Sequence, residues 1–236
     1  ANSQGTQMNW KTDCEKGKDY MYRCIVWDWN GTLLNDVQAA FSAMNAMLSR
    51  RGLPLMESLA QYRELFTFPV RQYYAAAGLD LEREAFEDLA AEWTGAYYRA
   101  YPACGLYPGV RDILRSLAEQ GARQIIVSAS QQQALESQVA GHGVGECFAA
   151  LLGISDIYAG SKSGLARRYF QKQGISPEQA LFVGDTLHDW EVAQEAGCPC
   201  VLLAQGHQSR TRLEQAGVPV ADSLELVWRW ISFEKT

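Results

Sequence analysis

The segment that most constrains the fold of this chain is residues 24–37, which read Cys-Ile-Val-Trp-Asp-Trp-Asn-Gly-Thr-Leu-Leu-Asn-Asp-Val. Its apolar start is typical of a buried β-strand, and the Gly31-Thr32 pair ends that strand in a turn. Asp28 is therefore expected at the carboxyl end of a strand, which is where open α/β sheets bind ligands. An acid followed by Asn-Gly is also an ordinary turn sequence. The rest of the chain decides between a plain turn and a reactive site.

The alternation of strand and helix patterns after residue 105 predicts an α/β fold with a parallel sheet, because parallel strands need crossover connections that are usually helices. The predicted strands cover residues 124–130, 180–185 and 200–204, with a further apolar segment at 148–154. The predicted helices cover residues 110–119, 131–140 and 224–231, together with one that ends at 173 and one that ends at 196. Residues 21–36 and 105–236 are thus expected to form the core.

Residues 37–104 have a different pattern, with apolar residues at helical spacing. Helices are predicted at residues 37–49, 58–65, 70–77 and 81–100, separated by turn residues. This segment is therefore expected to be an all-helical insertion into the α/β core. Residues 1–20 are polar and show no period, which predicts an N-terminal tail.

Composition and charge exclude several classes of function. A formal charge of −6 over 236 residues provides no basic surface for a nucleic-acid partner. No apolar run approaches the roughly 18 residues that span a bilayer, so we expect no membrane partner and a cytoplasmic location. The six cysteines are scattered and are expected to be free thiols, and with three histidines they form no convincing zinc site.

Polar side chains at several predicted strand ends and helix starts are all of the types that phosphoryl transfer requires. Asp28 and Asp185 supply carboxylates for a hard divalent cation such as Mg²⁺, which prefers oxygen ligands. Ser128 and Lys162 supply hydrogen-bond donors for the oxygens of a transferring phosphoryl group. Asp189, four residues beyond Asp185, falls on the same side of the predicted helix and is expected to anchor Lys162 or a metal-bound water. Together these residues predict a magnesium-dependent phosphoryl-transfer site.

Five short segments also form a pattern in their order and spacing. They are Asp28-Trp29-Asn30-Gly31-Thr32, Tyr107-Pro108-Gly109-Val110, Ser128, Lys162 and Gly184-Asp185-Thr186-Leu187-His188-Asp189. This pattern resembles that of the haloacid dehalogenase superfamily of phosphatases, and the likeness covers about residues 21–231. The chain is most similar to phosphoglycolate phosphatase-like members, in which an α-helical cap of the C1 type follows the first strand. The resemblance implies a Rossmann-like core and a cap that closes over a small phosphorylated substrate.

The resemblance also implies a mechanism and a set of site residues. Asp28 attacks phosphorus and forms an aspartyl-phosphate, which water then hydrolyses. The residues implied to hold magnesium are Asp28, Asp185 and Asn30, the last through its backbone carbonyl. Those implied to bind the phosphoryl group are Thr32, Ser128 and Lys162.

The chain departs from the family pattern at Asn30, where the family has an aspartate that protonates the leaving oxygen and later activates water. An amide can orient groups but cannot shuttle protons, and general acid–base catalysis is typically worth about 10²–10⁴-fold in rate. Alkyl phosphates should therefore be hydrolysed slowly unless another group substitutes. His188 is a candidate, although a lone histidine in such a loop is more often a surface or structural residue. His207 could border the site but, with no partner in view, is predicted to be a surface residue.

The amide at Asn30 leaves three functions open. The first is an active phosphatase that favours leaving groups needing little protonation. The second is a carbon–phosphorus hydrolase of the same superfamily, which needs a lysine in the cap, whereas residues 37–104 contain six arginines and no lysine. The third is a non-enzymatic protein that binds a phosphorylated ligand or a protein partner, which would not require the nucleophile Asp28. A true dehalogenase is weaker still, because it would leave the motif at Asp185 unexplained.

Substrate specificity is expected in the helical insertion. The turn at residues 66–69 includes Thr67 and is flanked by Arg63 and Arg71. A guanidinium group there would clamp a carboxylate or a second phosphate of the substrate. The alternative is that both arginines are solvated residues on helix surfaces. The sequence names neither the substrate nor the oligomeric state.

Overall fold

The computed structural model describes residues 22–154 and 162–231, so the predicted tail and the Gly160-Ser161 pair lie outside the described residues. The strands are β1 (Cys24–Trp27), β2 (Leu34–Asn35), β3 (Gly105–Leu106), β4 (Arg123–Gln131), β5 (Ala150–Ile154), β6 (Ala180–Gly184), β7 (Cys200–Leu203) and β8 (Val220–Ala221). The α-helices are α1 (Val37–Arg50), α2 (Leu59–Leu65), α3 (Val70–Ala76), α4 (Phe86–Ala100), α5 (Val110–Glu119), α6 (Gln132–Gly141), α7 (Lys162–Gln173), α8 (Leu187–Ala196), α9 (Arg210–Leu213) and α10 (Leu224–Ile231).

A parallel sheet with the strand order β5-β4-β1-β6-β7-β8 forms the centre of the described fold. Strand β1 lies between β4 and β6, and Trp27 at its end is in register with Ile126 and Val183. Because all three strands run in the same direction, their carboxyl ends meet at one edge of the sheet. The predicted α/β fold with a parallel sheet is confirmed.

Strand β1 is buried on both faces of the sheet, which explains its continuous apolar sequence. Successive side chains alternate between the faces. Ile25 and Trp27 pack in an apolar cluster with residues of α5, α6 and α10, whereas Cys24 and Val26 pack in a second cluster with residues of α7 and α8. Helices therefore cover both faces, and the carboxyl edge of the sheet is left for the site.

Helices α1 to α4 contribute to a third apolar cluster, which includes Met44, Met47 and Tyr73. Side chains from this helical layer reach the carboxyl edge of the sheet. Tyr62 of α2 contacts His207 with 2.7 Å between the hydroxyl oxygen and Nδ1, and Tyr97 of α4 lies 3.2 Å from Asn30 Nδ2. The division into a core and an inserted domain stays a prediction.

Helix α4 begins at Phe86, five residues later than the sequence pattern predicts. The carboxylate of Asp80 explains the difference, because its Oδ1 accepts hydrogen bonds from the backbone N–H groups of Glu82 and Arg83 at 3.1 and 3.2 Å. Such bonds satisfy backbone donors outside a helix and favour a turn. The apolar spacing at residues 81–85 therefore belongs to a turn.

Four short elements are not predicted by the sequence pattern: β2, β3, β8 and α9. In the β2–β3 pair, Leu34 is opposite Leu106 and Asn35 is opposite Gly105, in antiparallel register. Strands of two residues are too short to show an alternating pattern. The pair joins the point where the chain leaves the sheet to the point where it returns.

Two further expectations concern the whole described chain. The described cysteines, Cys24, Cys104, Cys147, Cys198 and Cys200, are free thiols. Among residues 22–154 and 162–231, no helix is both long enough and apolar enough to cross a bilayer.

Candidate active site

Three neighbouring elements deliver polar side chains to the carboxyl edge of the sheet. Asp28 directly follows β1, Ser128 lies near the end of β4, and Asp185 directly follows β6. Lys162, at the start of α7, reaches the same place. All four side chains are buried, with 7% exposure for Asp28 and less for the others. The structure therefore brings these predicted residues together.

Lys162 bridges two carboxylates. Its Nζ lies 2.5 Å from Asp28 Oδ1 and 2.5 Å from Asp189 Oδ1. Burial alone would lower the pKa of Lys162, but Asp189 and Asp28 outweigh burial and hold that pKa above its usual range. The pKa of Asp189 is lowered because Lys162 outweighs its burial. Lys162 is therefore an ammonium cation fixed at the bottom of the site.

Asp189 is fixed by the start of helix α8. Thr186 caps this helix, and the side chain of each residue bonds to the backbone of the other in a capping box. Asp189 Oδ2 also accepts hydrogen bonds from the Asp185 N–H at 3.1 Å and from Thr186 Oγ1 at 2.7 Å. One carboxylate oxygen thus serves the helix terminus, while the other binds Lys162.

Asp28, Asp185 and Asp189 form a buried acidic cluster whose ligand atoms lie within 4.8 Å of one another. Burial, reinforced by the other two carboxylates, raises the pKa of Asp28 well above its usual range. Burial and the carboxylate of Asp189 also raise the pKa of Asp185, to about 6. The cluster carries more negative charge than Lys162 alone offsets, which favours a bound cation.

The position of Asp185 depends on a close approach of the backbone. Thr32 Oγ1 donates to Asp185 Oδ1 at 2.8 Å, and the backbone N–H of His207 donates to Asp185 Oδ2 at 2.6 Å. A Cβ atom at Gly31 or at Gly206 would overlap the Asp185 carboxylate, and Gly31 also has a φ of +72°. Both glycines are therefore required for this packing.

The acidic cluster fits a magnesium ion in its chemistry. Its donors are carboxylate oxygens from two strand ends, which suit a hard divalent cation. Burial is the main cause of the raised pKa values of Asp28 and Asp185, and repulsion from Asp189 adds to it. Asp28 and Asp185 could hold the ion, whereas the backbone carbonyl of Asn30 stays a predicted ligand.

Asn30 is held by three neighbours. Its Nδ2 donates to Asp36 Oδ2 at 2.8 Å and to the Tyr97 hydroxyl at 3.2 Å, and its Oδ1 accepts from Ser130 Oγ at 2.8 Å. Asp36 is only 2% exposed and also accepts from the Gly31 N–H at 2.9 Å. A carboxylate therefore lies against the amide, although it comes six residues later in the chain.

The prediction that His207 is a surface residue is wrong. His207 is 5% exposed, its Nε2 lies 3.2 Å from Asp36 Oδ1, and its Nδ1 lies 2.7 Å from the Tyr62 hydroxyl. Burial alone would lower its pKa, but Asp36 and Asp185 outweigh burial and raise the pKa to about 9. Its side-chain partners are 171 and 145 positions away, so no local pattern could reveal them.

His188 lies elsewhere. Its Nδ1 is 3.3 Å from Glu191 Oε2, its side chain is 30% exposed, and its ring packs 4.7 Å from that of Phe68. It is absent from the described residues that line the cavity above the acidic cluster. The geometry gives it no contact with the reacting groups.

A cavity of about 420 Å³ extends from the acidic cluster into the helical layer. The polar residues of its lining include Asp28, Asn30, Asp36, Ser128, Ser130, Lys162, Asp185, Asp189 and His207. The aromatic residues of its lining include Phe66, Phe68, Tyr73, Tyr74, Trp93, Tyr97 and Tyr98. The sequence pattern did not indicate Asp36. It did not indicate the aromatic residues either, because their helical spacing equally predicts a core.

The residues predicted to set specificity, Arg63, Thr67 and Arg71, are not among the described residues that line the cavity. Arg63 donates to the backbone carbonyls of Gly206 and Gln205, Arg71 lies 5.7 Å from the ring centre of Phe86, and Thr67 bonds to the neighbouring backbone. Thr32 is likewise fully buried against Asp185, outside the cavity lining. Their predicted contacts with substrate stay predictions.

Fold and site together define an α/β protein whose buried acids and lysine meet at the carboxyl edge of a parallel sheet, the position of active sites in open α/β folds. Residues 25–203 match the model of the family described as haloacid dehalogenase-like hydrolase. The chain therefore belongs to the haloacid dehalogenase-like hydrolase family. The resemblance in the sequence motifs is confirmed.

Several relatives in sequence share one name. A phosphoglycolate phosphatase of Pseudomonas putida is 28% identical over 192 residues, which cover 78% of this chain and 70% of the relative. A phosphoglycolate phosphatase of Rhodospirillum rubrum is 26% identical over 224 residues, which cover 90% of this chain and 92% of the relative. The match extends over nearly the full length of both chains in the second case.

Solved structures show the same fold. A haloacid dehalogenase-like hydrolase of Streptococcus pneumoniae superposes with a TM-score of 0.76 at 19% identity, covering 89% of this chain and 99% of that chain. CbbY of Rhodobacter sphaeroides, solved in complex with xylulose-1,5-bisphosphate, superposes with a TM-score of 0.65 at 21% identity, covering 86% and 94%.

Proposed function

We propose that this chain is a magnesium-dependent phosphatase that hydrolyses a small phosphorylated metabolite through an aspartyl-phosphate. The observation that carries the proposal is the buried contact of Lys162 with Asp28, beside Asp185 and Asp189, in the lining of the cavity. Catalysis of phosphoryl transfer consists mainly of positioning and charge stabilisation, which such a cluster provides. The relatives named phosphoglycolate phosphatase support the same reaction class.

Asp28 is the proposed nucleophile. One of its carboxylate oxygens bonds to phosphorus while the bond from phosphorus to the leaving oxygen breaks. Water then attacks phosphorus in the aspartyl-phosphate, which releases inorganic phosphate and restores the Asp28 carboxylate. Because Asp28 is buried against other acids, its attack requires positive charge nearby, and Lys162 lies in contact.

Two donors serve the transferring phosphoryl group. Lys162 is an ammonium cation held by Asp189. Ser128 Oγ accepts a hydrogen bond from the Ser130 N–H at 3.1 Å, which leaves its hydroxyl hydrogen to donate to a phosphoryl oxygen. We propose Thr32 as a further contributor through Asp185, whose carboxylate it orients.

The proposed cofactor is Mg²⁺, held by Asp28, Asp185 and the backbone carbonyl of Asn30. When bound, it offsets the charge that otherwise repels a phosphate dianion from these carboxylates. Asp189 is a positioning residue in this scheme, because its carboxylate oxygens are used by Lys162 and by the start of α8.

The helical layer is proposed to act as a cap that closes over the substrate and excludes water. Two contacts between the helical layer and the edge of the sheet support this role. The Tyr62 hydroxyl bonds to His207, and the Tyr97 hydroxyl accepts a hydrogen bond from Asn30. We also propose that the protein acts in the cytoplasm, as the sequence predicts.

The test measures phosphate release from a panel of phosphorylated metabolites, with and without Mg²⁺. Asp28→Asn should reduce turnover by more than about tenfold, because it removes the attacking carboxylate but keeps the shape of the side chain. The matched control is Asp112→Asn, which changes an exposed carboxylate on α5. Turnover by Asp28→Asn within tenfold of the parent, or undiminished turnover without metal, would reject the proposal.

Asn30 favours one competing function, a protein that binds a phosphorylated ligand without turnover. In that case no ester in the panel is hydrolysed, yet a phosphorylated ligand raises the unfolding temperature. A carbon–phosphorus hydrolase lacks support, because Lys162 is the only lysine among the described residues lining the cavity, and it is paired with acids.

A further inference from the structure

We propose that the substrate's leaving group is an uncharged aromatic group, an inference that rests on the proposed phosphatase function. Its ring would lie against the aromatic residues that line the cavity above the acidic cluster. Two observations carry the inference: the aromatic lining and the absence of an unpaired cation among the described lining residues.

Aromatic side chains form much of the cavity lining. Phe66 packs against Phe68 with ring centres 5.5 Å apart and against Tyr73 at 5.1 Å. Trp93 and Tyr97 are stacked at 5.1 Å with an angle of 14° between their planes. A planar ligand makes offset-stacked or edge-to-face contacts with such a lining, whereas a short aliphatic group leaves much of it uncovered.

The described lining offers no free cation for a second anionic group. Its basic residues are Lys162 and His207, and both are already paired with carboxylates. Arg63 is bound to backbone carbonyls and Arg71 lies over Phe86, as described above. A carboxylate or second phosphate on the leaving group would therefore find no unpaired cation in the described lining to offset its charge. This disfavours phosphoglycolate itself.

Binding of phosphonates to the Mg²⁺-loaded protein tests recognition without interference from leaving-group reactivity. Calorimetry with benzylphosphonate, ethylphosphonate and 3-phosphonopropionate should show that benzylphosphonate binds at least tenfold more tightly than the other two. Equal affinities, or tighter binding of 3-phosphonopropionate, would overturn the inference. Phosphate release from the corresponding esters separates the two proposals: if benzylphosphonate is preferred but no ester is hydrolysed, the phosphatase function fails and the ligand class stands.

Discussion

At the scale of single residues, the contact between Asn30 and Asp36 shows how this site differs from the family pattern. The amide occupies the position where the family has an acid, and a buried carboxylate donates no proton because it is held ionised. Burial alone would raise the pKa of Asp36, but His207 and the hydrogen bonds from Asn30 and Tyr97 lower it. Neither partner of this pair is therefore a ready proton donor at neutral pH.

This contact predicts that Asn30→Asp is destabilising on its own. The change places a second carboxylate 2.8 Å from Asp36, where like charges raise each other's pKa and disfavour ionisation. The double variant Asn30→Asp/Asp36→Asn restores an amide facing a carboxylate. Urea unfolding at pH 7 should give a favourable coupling free energy of about 1 kcal/mol or more between the two changes. Additive effects would contradict the prediction.

The same double variant predicts a change in substrate preference. With an acid at position 30, hydrolysis of alkyl phosphates should rise by up to about 10²–10⁴-fold, because poor leaving groups need protonation most. Aryl phosphates should change little. Rates for both ester classes are compared after Mg²⁺ affinity has been measured for parent and variant. An equal response of both classes would show that position 30 does not limit proton transfer.

The raised pKa of His207 predicts that the stability of the fold depends on pH. Its pKa is raised from 6.5 to about 9 in the folded protein, so its contribution to stability is fully present below pH 6.5 and is lost as the pH rises through 9. In metal-free protein, the free energy of unfolding lost on His207→Gln should therefore be larger at pH 6 than at pH 9.5. Urea unfolding of parent and variant at both values checks this. A difference that grows with pH would have the wrong sign.

The residues predicted from sequence are those whose role is marked by a local pattern. Asp28 and Asp185 directly follow buried strands, so their position at the sheet edge could be read from the apolar runs before them. Asp36 and His207 have no such mark. Their shared contact joins residues 171 positions apart, and only the folded chain brings them together.

At the scale of elements, the start of α8 links helix stability to the site. The capping box between Thr186 and Asp189 holds the carboxylate that binds Lys162. The spacing of Asp185 and Asp189 predicted that both side chains lie on the side of the candidate site. The capping box is the physical reason, because it fixes the Asp189 carboxylate at the start of α8. In contrast, the start of α4 and the two-residue strands could not be predicted, because side-chain bonds to the backbone and tertiary contacts determine them.

The capping box predicts that Thr186→Ala affects stability and activity together. Loss of an N-cap side chain costs about 0.5–2 kcal/mol. Turnover should also fall, since Asp189 and hence Lys162 are less firmly held. Ser58→Ala is the matched control, because Ser58 caps α2 through Gln61 N–H outside the cavity lining. Urea unfolding and phosphate release are measured for both variants. If Ser58→Ala lowers turnover as much as Thr186→Ala does, the loss reflects stability alone.

At the scale of the whole molecule, the buried acidic cluster predicts that Mg²⁺ stabilises the fold. An ion that binds only the folded chain adds about 2.7 kcal/mol at one hundred times its dissociation constant. Thermal unfolding with increasing Mg²⁺ should therefore shift upward for the parent and for Asp112→Asn, but not for Asp185→Asn. Calorimetry gives the affinities. An equal shift in all three proteins would place the ion elsewhere.

The β2–β3 pair determines how the helical segment is attached. The chain departs after Asn35 and returns at Gly105, and these two residues face each other across one antiparallel rung. The two ends of residues 36–104 are therefore held together by the β2–β3 pairing. A chain that omitted it would need only a tight turn from β2 to β3, with no shift of the sheet. We therefore predict that a change in the length of this segment would leave the strand ends beneath it in place.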